Sequence, residues 1–370
     1  MTAEHDAGGG GRTLWYLCLE LPTEGQASHT HVMGILRGLA SRGWSTRLWH
    51  PPARRGSRGA IRRLFDITTL QVRLIVQRAR PDVLYVRGHF ASLPTVVWAR
   101  VRHVPVVWEL NGAGDDVLSS WPSVRPILPL LRASITWQFR LSTVVIGVTP
   151  ALARWATERG ARSSRVVGNG ADTELFSPDA TTTAALPERF VSFTGTLATW
   201  QGIDSVFDAM DRPGWPDGVG LVVVGDGVLA DVVRSRSVAD RRVTYLGRLP
   251  HRDVGGIVAR SLAALSPMYA GDRVRSGVVP LKLFEAMACG VPVIVTDLPG
   301  QAEIVAAHQC GLVVGPDDPD AIAGAVARIA SEADLARSMG ERARQAAVDS
   351  YSWDSASART HTILVEIVDD

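Results

Sequence analysis

LWYLCLELPTEGQASHTHVMGILRGLASRGWSTRLWH, residues 14–50, decides the reading of the fold. Its first eight residues are a nearly unbroken apolar run, as expected of a strand buried on both faces. A loop of small and polar residues follows. Val32, Ile35, Leu36 and Leu39 then recur at helical spacing, and Gly43 ends that segment. STRLWH starts a second strand, so the stretch predicts a strand–helix–strand unit. Outward from it the pattern continues through DVLYVRG (82–88), VPVVWELNG (104–112), TVVIGVT (143–149) and RVVGNG (165–170). It restarts at FVSFTG (190–195) and runs through VGLVVVGDG (219–227), VTYLG (243–247), ALSPM (264–268), VPVIVTD (291–297) and GLVVG (311–315). Strands alternating with helices predict an α/β chain of two Rossmann-like doubly wound halves, with ligands off the carboxyl ends of the strands. Two such halves facing across a cleft would place the site between them.

The expected divisions are a disordered tail at 1–11, an N-terminal domain at 12–165, a C-terminal domain at 166–350 and a last helix at 351–370 that crosses back to the first domain. A length of 370 residues calls for more than one core. Net charge of +2 argues against nucleic-acid binding. Cys18, Cys289 and Cys310 read as buried thiols of a cytoplasmic protein. No apolar run has the length of a membrane span, and the Gly-rich start does not read as a signal peptide. PPARRGSRGAIRRLF (51–65) sets Arg54, Arg55, Arg58, Arg62 and Arg63 beside apolar residues. It reads as a basic loop and surface helix, with peripheral contact to an anionic membrane as the alternative.

Among 39 basic residues Lys282 is the only lysine. It stands near the start of a helix, where a cation opposes the macrodipole unless an anion sits there. Three residues on, Glu285 lies among Leu283, Phe284, Ala286 and Met287, an unusual setting for a solvated carboxylate. Glu109 and Asn111, two apart on one strand, share a face at its end. His89, after another strand, is a further candidate, as are His29 and His31 in the first loop. No Asp-x-Asp motif stands at a strand end and no His/Cys cluster has ligand spacing, so no metal is expected.

EGQASHTHV, VVGNGADTELFSP, GTLATWQGIDSVFDAM, VVGDG, VTYLGRLP, PLKLFEAMACGVPVIVTDLPGQAEIV and YSWDSAS, in that order, resemble the GT-B glycosyltransferases, specifically glycosyltransferase family 4. The resemblance implies a retaining, metal-independent transferase. It would move a sugar from a UDP- or GDP-linked donor to a hydroxyl acceptor, with the donor held mainly by the C-terminal domain and no cofactor. It implies Glu285 as the ribose ligand and Lys282 on the diphosphate. Arg273, Arg275, Gly195, Thr196, Gln201, Arg248, Leu249 and Glu303 fall in its donor-side loops, and Gly25 and Gln26 in the first N-terminal loop. Glu303 also reads as a first-turn helix carboxylate. Asn111 stands where many members carry His. Two positions depart from the pattern. Gly277 replaces the first Glu of the family's Glu pair, which leads to an expected tolerance for a deoxygenated donor sugar. Thr196 and Gln201 stand where the family often has Arg and Lys. Asp272 is a weaker substitute for the missing Glu. The rival readings are a catalytically silent GT-B subunit and a GT-B sugar-nucleotide epimerase.

Overall fold

The structure, a computed structural model, describes residues 4–5, 11–24, 26–52, 59–112, 122–271, 277 and 279–369. The chain divides into two compact units, Met1–Gly168 with Ala356–Asp370, and Asn169–Ser355.

The first unit is built on seven strands: β1 (Glu4–His5), β2 (Thr13–Leu17), β3 (Ser45–Trp49), β4 (Val83–Arg87), β5 (Val106–Leu110), β6 (Val144–Gly147) and β7 (Ser164–Val166). Their order is β1-β3-β2-β4-β5-β6-β7. All neighbours are parallel except β1, which pairs antiparallel with β3. Residues 1–11, expected to be disordered, thus include a short strand. The outer backbone groups of β3 would otherwise be unpaired at a sheet edge, and Glu4–His5 take them up.

The second unit carries β8 (Phe190–Thr194), β9 (Gly220–Val224), β10 (Val243–Tyr245), β11 (Ala264–Ser266), β12 (Val293–Thr296) and β13 (Gly311–Val314), all parallel, in the order β10-β9-β8-β11-β12-β13. This is the doubly wound order in which chain direction across the sheet reverses between the first strand and the fourth. Apolar side chains alternate between two cores. Val191, Phe193, Leu221 and Val223 pack in one, Phe190, Val222 and Val224 in the other. Both faces of the sheet are therefore covered, which is why its strands read as continuous apolar runs.

Each sheet has a switch point that opens a crevice off the carboxyl ends of its strands. In the first unit it lies between β2 and β4, in the second between β8 and β11. The Asn-Gly pair at 169–170 serves packing. A Cβ on Gly170 would stand 2.4 Å from the Ser352 carbonyl carbon, and Ala171 bridges to Ser352.

Candidate active-site residues in the two units

In the second unit the loop after β8 starts at Gly195, whose φ of +110° suits glycine. It lies so close to the next loop that a Cβ on Gly225 would meet the Gly195 carbonyl oxygen at 1.8 Å. Thr196 is exposed. Gln201 is buried, and its Oε1 has no hydrogen-bond partner among the described residues.

Beyond β11, Pro280 leads into the helix Leu281–Ala288. Lys282 on its first turn is buried, with Nζ lying 3.9 Å from the centre of the Phe193 ring on β8. Among the described residues the ammonium has no hydrogen-bond partner. Burial lowers its pKa from 10.5 to about 7, with Glu285 partly offsetting that effect. A helix N-terminus adds a further unfavourable field for a cation.

Glu285 is one turn along the same helix, and His251 Nε2 lies 2.8 Å from its Oε1. His251 opens the helix His251–Ala259, and its ring also rests on Phe176 at 4.9 Å. Burial alone would lower the imidazole pKa. The hydrogen bond to Glu285 and the charge of that carboxylate outweigh it and raise the value. One carboxylate oxygen is thus occupied, and among the described residues no hydrogen bond reaches Oε2.

Gly277 is buried at φ +69°, a conformation that Glu would adopt only under strain. Glu303 is exposed and accepts from the Gly300 N–H at 3.0 Å, which caps the start of the helix Gln301–His308 from its first turn. Arg248 is exposed, and Leu249 packs against the core. Asp272, Arg273 and Arg275 lie outside the described residues, as do Gly25, Arg54, Arg55 and Arg58. Arg62 and Arg63 are exposed on the helix Ala60–Ile75, beside exposed Leu64 and Phe65.

In the first unit the switch point holds a buried polar cluster. Tyr16 on β2 and Tyr85 on β4 are register partners whose rings stack at 4.8 Å. Arg87 on β4 is the register partner of Glu109 on β5, so both side chains emerge on one face. Glu109 is 1% exposed. Its Oε1 accepts from Arg87 at 3.0 Å and from Asn111 Nδ2 at 2.5 Å. Its Oε2 accepts from Tyr85 Oη at 2.7 Å, and His31 Nε2 stands 2.9 Å away. Tyr16 Oη is 3.4 Å from Oε2, at the long limit of a hydrogen bond. Burial would raise the carboxyl pKa. His31 and Arg87, with hydrogen bonds from His31 and Asn111, reverse that and hold it at about 2.

His89 is not in this cluster. Its Nδ1 accepts from the Ala91 N–H at 3.1 Å and caps a short 3₁₀ turn, Phe90–Ser92. Burial lowers its pKa to about 4, so it is neutral at physiological pH. Gln26 precedes the helix Ala27–Ala40 without a side-chain cap bond, and is exposed. His29 is half-buried, whereas His31, two residues on, is buried against Glu109.

Sequence reasoning passed over His251, Tyr16, Tyr85 and Arg87. For Arg87 a signal was present: a charge ending one apolar run, DVLYVRG, while Glu109 nearly ends the next strand. The tyrosines look like core, and nothing local marks His251.

Comparison with known proteins follows the same division. The family model described as Glycosyltransferase Family 4 matches residues 7–175, and the one described as Glycosyl transferases group 1 matches residues 180–346. A glycogen synthase of Mycobacterium tuberculosis is 25% identical over 294 residues, 77% of this chain and 69% of that protein. A GDP-mannose-dependent alpha-(1-6)-phosphatidylinositol monomannoside mannosyltransferase of the same organism is 31% identical over 231 residues, 57% of this chain and 58% of its own length. Among solved structures, a sucrose-phosphate synthase from Thermosynechococcus elongatus superimposes with a TM-score of 0.77 at 18% identity, covering 97% of this chain and 99% of that one. The chain belongs to the glycosyltransferases of the GT-B fold, with a family 4 N-terminal half and a group 1 C-terminal half.

Proposed function

We propose that this glycosyltransferase transfers a sugar from a nucleoside-diphosphate sugar to a hydroxyl acceptor with retention at the anomeric carbon. In this reading the Lys282 ammonium, not a metal ion, balances the leaving diphosphate. The observation that carries it is the buried Lys282, without a hydrogen-bond partner among the described residues, at the start of a helix, one turn from Glu285 and off the switch point of the second sheet. Binding a diphosphate there supplies the missing anion and keeps the lysine protonated. As the anomeric C–O bond breaks, its electron pair moves to the β-phosphate oxygen, where a fixed cation stabilises it. The acceptor oxygen bonds to the anomeric carbon on the face the leaving group departs from. Its proton passes to that phosphate, so no protein base is required. The name of the mannosyltransferase relative supports a nucleotide-sugar donor.

Glu285 Oε2 receives the ribose hydroxyls in this arrangement. Glu285→Gln keeps the shape and removes the charge. Affinity for UDP and GDP is expected to fall about tenfold or more, and far less for their 2′,3′-dideoxy analogues. Isothermal titration of the four ligands reads this directly. An unchanged ratio between ribose and dideoxy forms rejects the assignment.

A further inference from the structure

His251 has no part in the transfer reading above, yet its place is closely fixed. It is the first residue of the helix His251–Ala259. Two glycines hold that helix against the segment before β8. A Cβ on Gly255 would stand 2.6 Å from the Leu175 carbonyl oxygen, and one on Gly256 2.1 Å from that of Thr181. A side chain at either position would push the helix away. The Phe176 ring on which the imidazole rests is fully buried. Arg344 Nη1 donates to the Phe176 carbonyl at 3.1 Å and to the Ala288 carbonyl at 2.7 Å. One guanidinium thus ties that platform to the end of the helix that carries Glu285. The 2.8 Å contact between His251 Nε2 and Glu285 Oε1 therefore joins two clamped elements.

An ionised carboxylate only accepts, so Nε2 carries the hydrogen in this bond. The protonated ring always offers that hydrogen, whereas the neutral ring offers it in one of two tautomers. Two carboxylates on neighbouring elements bear on the ring: Glu285 on the facing helix and Asp172 in the segment before β8. Burial opposes them, and the net effect is a raised pKa. On its own helix Arg252 and Asp253 face each other at 3.8 Å, and the packed strand β8 carries no charged residue. Lys282 acts on Glu285 from one turn away. A protonated imidazole at a helix start opposes the macrodipole, so the bond to Glu285 stands against the local field.

We propose that His251 is a positioning residue for nucleotide binding: its Nε2–H holds Glu285 Oε1 and so turns Oε2 toward the ribose diol. The proposal rests on the ribose reading of Glu285 above and adds that selectivity for a ribose follows the donor at position 251. A carboxylate held at one oxygen keeps one orientation, and a diol that meets it there does not have to order it.

The test titrates the full chain calorimetrically with UDP, GDP and their 2′,3′-dideoxy analogues at pH 6 and pH 8.5. The readout is the ratio of affinities between ribose and dideoxy forms. Both forms carry the same diphosphate, so the titration of Lys282 cancels. In the wild type the ratio is expected to fall about twofold or more between the two pH values, as the ring loses its proton. His251→Ala is expected to lower the ratio about fivefold at pH 6. His251→Gln keeps an N–H donor that does not titrate, so its ratio is expected to stay within about twofold of the wild type at pH 6 and to be flat with pH. Without ligand, ¹H NMR of the His251 ring is expected to give a midpoint above 6.5 that moves down in Glu285→Gln. An unchanged ratio in His251→Ala, a wild-type ratio flat with pH, a His251→Gln ratio that falls with pH, or a midpoint unmoved in Glu285→Gln overturns the proposal. If His251→Ala does not fold, His251→Gln and the ring titration decide. A ratio unchanged in Glu285→Gln rejects the ribose reading itself, and this proposal with it. A ratio lost in Glu285→Gln and kept in His251→Ala rejects the role of His251 alone.

Discussion

Lys282→Ala is expected to weaken binding of UDP and GDP by roughly 10- to 150-fold and to leave uridine and guanosine within about twofold, because a charge-assisted hydrogen bond contributes about 1.5–3 kcal/mol. The same variant is expected to fold at least as well as the wild type at neutral pH. The folded lysine titrates at about 7 and the free side chain at 10.5, so the unfolded chain binds this proton more tightly. Stability from this group is present above 10.5 and lost as pH falls through about 7, and removing the lysine removes that slope. Diphosphate binding carries the opposite signature. Above pH 7 it must take up a proton, so affinity declines as pH rises. Equal losses for nucleoside and diphosphate in Lys282→Ala contradict the assignment.

Removing the Glu109 charge is expected to destabilise the first unit strongly. Glu109→Gln leaves the buried Arg87 guanidinium without its counter-ion, and breaking a buried pair this way costs about 3–5 kcal/mol. The pH dependence follows from the lowered carboxyl pKa. Its stabilising contribution, about 3 kcal/mol for a shift from 4.5 to about 2, is complete above 4.5 and is lost as pH falls through about 2. Urea denaturation at pH 7 and at pH 3 should therefore show a large gap between wild type and variant that narrows in acid. A gap that stays constant means that the carboxylate is not held in its charged form by this cluster.

The fold was largely legible because apolar runs report burial, and parallel strands are buried on both faces. The limits of that signal show at the first strand. LWYLCLEL suggests eight residues, yet β2 is Thr13–Leu17. Cys18 and Leu19 are buried without extending the strand, so composition marks the core and not the ladder. Glu109 and Asn111 were legible as residues two apart at a strand end. Their bond, and the convergence of Arg87 and Tyr85 on the same carboxylate, depend on the β4–β5 register, which local sequence does not encode. Lys282 stood out by composition, whereas its position over the Phe193 ring is a tertiary fact. His251 reaches Glu285 from 34 positions away on another helix, and only the packing of the two helices brings them together.

The proposed reaction cleaves a nucleotide-sugar and passes the sugar on with its configuration kept. The most direct measurement is ¹H NMR of the first sugar product formed from α-linked GDP-mannose or UDP-glucose, with methyl α-mannoside or water as acceptor, followed before mutarotation. Retaining transfer predicts an α-configured first product with stoichiometric release of the nucleoside diphosphate. A β-configured first product contradicts retention. A donor that binds but is never cleaved contradicts transfer and returns the chain to a silent binding subunit.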